Sequence, residues 1–127
     1  MGQNKSENWA KTFMDLLIWK KSMDFVTEIY KITADFPKSE MFGLTSQLRR
    51  AAISVPSNIA EGFGRKSKPD FARFCQIAIG SLFEQQTQLV VAHTIGYLTD
   101  SQYQNAFDKS REIERMLTSF IGSLRKS

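Results

Sequence analysis

One cysteine, one histidine, three prolines and seven glycines are spread over 127 residues. A lone Cys75 excludes an intrachain disulfide framework and a zinc knuckle, and it fits a reducing compartment. A lone His93 excludes any site built on paired histidines. Sparse Gly and Pro argue against an all-β fold, which needs many tight turns. No apolar run approaches the ~18 residues that span a bilayer, so no membrane segment is expected. The opening MGQNKSENWAK has no apolar stretch of the secretory kind, and a cytoplasmic protein is expected. Met1 to Ser6 formally fits an N-myristoylation pattern, one short enough to match often by chance. Neither sign of charge dominates. The net charge of +4 permits contact with nucleic acid or an anionic surface, yet a modest excess of lysine is common in plain soluble proteins.

What is present is ordinary for a folded domain. Apolar residues make up 42% and charged residues 24%, which disfavours global disorder. The length supplies one core rather than two. Residues 1–14 are polar, with Trp9 and Phe13 isolated, and read as a mobile tail; 15–127 form the domain.

Asp15 is placed to cap the first helix. Leu16, Trp19, Met23, Val26, Tyr30 and Thr33 recur at spacings of three and four, the mark of one helical stripe. A second stripe, Ile18, Phe25, Ile29, Ile32 and Phe36, lies beside it. Together they are wider than one neighbouring helix covers. Phe36-Pro37 ends the helix, because the residue before proline is pushed out of the helical region. Gly43 precedes a second helix with Leu44, Leu48, Ala51, Val55 and Ile59 on its inner line. Many small residues accompany them, and Pro56 should kink the helix. Gly62 and Gly64 end it. Ser67 caps a third helix with Pro69 in its first turn, running to about Thr94. Thr99 or Asp100 caps a fourth, where Tyr103, Ala106, Ser110, Ile113, Leu117, Phe120 and Leu124 keep helical spacing. Four amphipathic helices on short connections bury their faces most simply as an all-α, antiparallel, up-down-up-down four-helix bundle.

The run from Gly43 to Gly62, GLTSQLRRAAISVPSNIAEG, resembles the signature of the four-helix-bundle proteins encoded within 23S ribosomal RNA intervening sequences. Leu17-Ile18-Trp19, Phe36-Pro37 with Glu40, Phe71 to Ser81 with Glu84, and Gly96-Tyr97-Leu98 resemble other parts of that family's pattern. The resemblance covers nearly everything after residue 15. It implies a bundle assembled as a ring-shaped homopentamer. It is also similar to the accessory protein of diversity-generating retroelements, which implies nucleic acid and a reverse transcriptase as partners.

The residues themselves offer few sites. Arg49, Arg50, Arg65, Lys66, Lys68 and Arg73 lie on the second helix, the loop after it and the start of the third. They form a candidate phosphate-contacting patch. The bland reading is a solvated loop with intersubunit ion pairs, and no aromatics are interleaved to stack bases. The second stripe, Ile18, Phe25, Ile29, Ile32 and Phe36, is the candidate oligomer interface, because leftover apolar surface marks contacts. Glu61 and Glu84 suggest a di-iron bundle only until the missing Glu-x-x-His pairs are counted. Glu61 and Asn58 are better read as structural, pairing with an arginine or with helix-end donors. Cys75 reads as an apolar filler and His93 as a surface or capping residue. No cofactor, metal or catalytic constellation is expected. A non-enzymatic oligomeric binding module is therefore expected, with an adaptor lacking nucleic-acid affinity as the alternative.

Overall fold

The computed structural model describes residues 10–126. Among them are four helices, α1 (Leu17–Thr33), α2 (Leu44–Phe63), α3 (Lys68–Thr94) and α4 (Asp100–Lys126). Short 3-10 turns, Phe13–Asp15 and Lys38–Glu40, precede α1 and α2. Each helix packs against its sequence neighbour, α4 closes back on α1, and α2 against α3 is the most extensive contact. This is the up-down-up-down bundle. Its axis is filled by fully buried side chains from all four helices, among them Phe25, Ile29, Leu48, Ile59, Leu82, Leu89, Ile113 and Leu117.

The helix ends follow local chemistry. Ser67 Oγ accepts from Asp70 N at 3.2 Å and starts α3 with Pro69 in its first turn. Thr99, rather than Asp100, caps α4: its hydroxyl accepts from Gln102 N while Gln102 Oε1 accepts from Thr99 N, both at 3.0 Å. Gly96, at φ +88°, ends α3. Tyr97 N bonds to Ala92 O and Gly96 N to His93 O, a Schellman closure that a left-handed glycine makes cheap. Helix α2 runs through Pro56 without a break.

The start of the chain differs from expectation. Asp15 does not cap α1. Its carboxylate accepts from Lys11 N and Thr12 N and closes the preceding 3-10 turn, and these two bonds hold its pKa below the ordinary value. Leu16 stands at the head of α1 with no side-chain cap. The tail reading and the acylation pattern fall largely on residues 1–9, outside the described residues. Residues 10–14 carry Phe13, whose ring meets Trp19 edge-on at 5.3 Å and so is not isolated.

The two stripes of α1 exchange roles. Ile18, Phe25, Ile29, Ile32 and Phe36, read as an oligomer interface, are each at most 7% exposed within the single chain. They are core. The other stripe keeps Leu16 and Thr33 inside but leaves Trp19 and Val26 half-buried and Met23 and Tyr30 exposed. The physical reason is the angle between neighbours. α2 and α4 both pack on α1, and the sector between them is the one holding Phe25 and Ile29.

Candidate nucleic-acid interface

The six cations expected to form one patch do not. Arg49 and Arg65 are sixteen residues apart on α2 and its exit, about 24 Å at 1.5 Å per residue. Arg49 is occupied by structure: its Nε donates to Thr33 Oγ1 at 3.0 Å, and its guanidinium lies 4.5 Å from the Tyr30 ring centroid. Arg50 is exposed beside a polar groove lined by Ser46, Ser54 and Glu84.

Arg65, Lys66, Lys68 and Arg73 do come together, at the α2–α3 turn. Antiparallel packing brings the end of α4 to the same place, so that Leu124 and Arg125 share a surface pocket with Lys68, Pro69 and Ala72. Arg125 and Lys126 are exposed there. They are remote from the turn in sequence, and the length and antiparallel direction of α4 bring them here. Among the described residues, turn and helix end thus present six cations, with Glu61 and Asp70 beside them. The opposite end carries Asp35, Lys38, Glu40 and Asp100.

The arginines of this end are held in position. Arg65 Nη2 meets Glu61 Oε2 at 3.1 Å, so Glu61 has the structural role expected of it. Arg73 Nε lies 3.7 Å from Asp70 Oδ1. Both guanidiniums also lie over the buried Phe74 ring, at 4.6 and 4.7 Å. Cation–π contact of this kind is worth ~0.5–1 kcal/mol at an exposed site and restrains the long side chains. The first turn of α3 adds its positive dipole end.

No catalytic grouping accompanies the patch. Cys75 is fully buried, and burial pushes its thiol from 9.0 up to about 12, the opposite of an activated nucleophile. His93 sits eighteen residues away along α3, about 27 Å. Its ring stacks on Tyr103 at 4.4 Å, and Nε2 meets Asp100 Oδ1 at 2.6 Å across the α3–α4 turn. Asn58 donates to Ser54 O at 2.8 Å. Exposed Glu84 accepts from Gln88 Nε2 at 3.4 Å. Among the described residues no three His, Cys, Asp or Glu side chains are grouped to hold an ion. No helix among them is long and apolar enough to cross a membrane.

The family model of 23S rRNA-intervening sequence proteins matches residues 14–119. The chain belongs to this family. A crystal structure from Bacteroides thetaiotaomicron, described as a protein of unknown function from the S23 ribosomal protein family, is similar. It is 28% identical, covers 83% of this chain and 98% of its own, and superposes with a TM-score of 0.75. No curated protein matches the chain.

Several residues that carry the family resemblance hold the bundle together. Glu40 accepts from Leu44 N through Oε1 and from the Tyr97 hydroxyl through Oε2, both at 3.0 Å. It thereby caps α2 and ties the α1–α2 connection to the α3–α4 turn. Phe36 packs on Tyr97 at 5.2 Å. At the other end α2 and α3 approach closely at Gly62: a Cβ there would sit 2.8 Å from the Phe71 ring and 2.9 Å from Phe74 Cβ.

Proposed function

We propose that the chain is a non-enzymatic, oligomeric binding module whose basic end contacts the phosphate backbone of RNA or DNA. The observation that carries this reading is the convergence of Arg65, Lys66, Lys68, Arg73, Arg125 and Lys126 at one end of the bundle. Arginine and lysine contacts to phosphate release counterions, are largely independent of sequence and weaken with salt.

Oligomerisation is supported by apolar surface, though not by the residues first read for it. Met23, Tyr30, Phe42, Ile53, Ile77, Phe83, Val90 and Val91 are all more than a third exposed. A monomer rarely leaves so much uncovered. A homopentamer is the assembly the family resemblance suggests. A ring would repeat the basic end and raise its avidity. An enzyme acting on nucleic acid, of the reverse-transcriptase kind, is the protein partner the resemblance suggests, and the cytoplasm is the compartment.

A second reading is a protein adaptor without nucleic-acid affinity. It is favoured by the internal pairing of Arg65 and Arg73 with Glu61 and Asp70. Fluorescence anisotropy with a labelled RNA oligonucleotide at 50 mM salt separates the two. Binding that Lys66→Glu with Arg125→Glu weakens at least tenfold supports the module. Undetectable binding at that salt supports the adaptor.

A further inference from the structure

Two surface features of this chain complement each other and cannot meet within one molecule. The first is a knob. Phe42, at the end of the α1–α2 connection, is 94% exposed, and the neighbouring Met41 is 55% exposed. The second is a groove between α1 and α2, about 480 Å³, lined by Trp19, Met23, Tyr30, Ile53, Pro56 and Ala60 and almost wholly apolar.

Phe42 cannot fill its own groove. The groove begins on α2 at Ile53, nine residues beyond Leu44, about 14 Å along the helix. Arg49, which lies between the two on α2, stacks on the Tyr30 ring. Phe42 can therefore fill such a groove only on another molecule, and a second copy offers one. The ring itself carries no charge, and the groove lining holds no charged side chain, so seating one in the other costs little in lost hydration.

We propose that Phe42 of one protomer inserts into the α1–α2 groove of a second copy. The proposal rests on the oligomer reading above and gives it a direction. Knob and groove are different surfaces, so the contact is heterologous. Each copy gives its knob to one neighbour and its groove to another, the geometry that closes into a ring.

A complementation experiment tests it. Phe42→Asp removes the knob, and Ile53→Glu charges the groove. Both positions are exposed, and circular dichroism with thermal melting verifies the fold of each variant. Met23→Lys replaces the groove variant should Ile53→Glu fail to fold. Light scattering of the wild type is expected to show an assembly of several 14.5 kDa chains, while each variant alone is a monomer. Mixed in equal amounts, the variants retain one intact knob and one intact groove between them. They are expected to form a 1:1 heterodimer and to go no further. A mixture that stays monomeric beside an assembled wild type overturns the knob-and-groove contact while leaving oligomerisation intact. So does a Phe42→Asp protein that assembles normally, including one that has instead lost RNA binding, which would make Phe42 a base-stacking residue. A wild type that is monomeric at every concentration overturns the oligomer reading as well.

Discussion

Gly62 and Gly80 are both helical glycines, and only the first is required. A methyl at Gly62 meets Phe74 Cβ and the Phe71 carbonyl, which cannot swing aside. Gly62→Ala is expected to cost about 1–3 kcal/mol through overpacking. Nothing lies within 4 Å of a methyl at Gly80. There Gly80→Ala should be neutral or gain up to about 1 kcal/mol, as alanine suits a helix better. Urea denaturation of the two variants checks the contrast. Cys75 gives a second test. Its buried thiol should react with a thiol reagent only as fast as the protein opens. Folded Cys75 keeps its proton up to about 12, while the unfolded thiol loses it near 9.0. Its contribution is therefore whole below 9.0 and lost as pH climbs toward 12. Tyr97, whose pKa is raised chiefly because its hydroxyl donates to Glu40, acts in the same sense. The Cys75→Ala variant should lose stability less steeply with alkaline pH than the wild type. An equal slope in both would contradict the assignment.

At the scale of elements, the tie between connections matters most. Glu40 joins the start of α2 to Tyr97 beyond α3. Hydrogen bonds to a charged partner contribute about 1.5–3 kcal/mol, less where half-exposed as here. Tyr97→Phe is expected to lower stability, and a double-mutant cycle with Glu40→Gln should show that the two effects are coupled rather than additive. Additive effects would mean that the two connections are held independently. The helices themselves were legible because three-four spacing, Ser67, Pro69 and Gly96 act locally. The facing of α1 was not. Both its stripes are apolar, and only the packing of α2 and α4 decides which one is core. Asp15 failed as a cap for a related reason: a turn three residues earlier offered two backbone donors, and the carboxylate took those.

For the whole molecule, the central claim is that folding concentrates positive charge at one end. Part of this was readable, since Arg65, Lys66, Lys68 and Arg73 are close in sequence. Arg125 and Lys126 join only because α4 returns antiparallel, and Arg49 leaves because α2 is long enough to carry it to the other half. The most direct test measures RNA affinity between 50 and 200 mM salt. Four phosphate contacts per chain predict a fall of about 50- to 150-fold, with a log–log slope near −3. Lys66→Glu and Arg125→Glu should each lower the slope by about one, whereas Arg50→Glu should leave it unchanged. A slope that Arg50→Glu reduces as much as Arg125→Glu, or one that neither end's variants alter, would contradict the account.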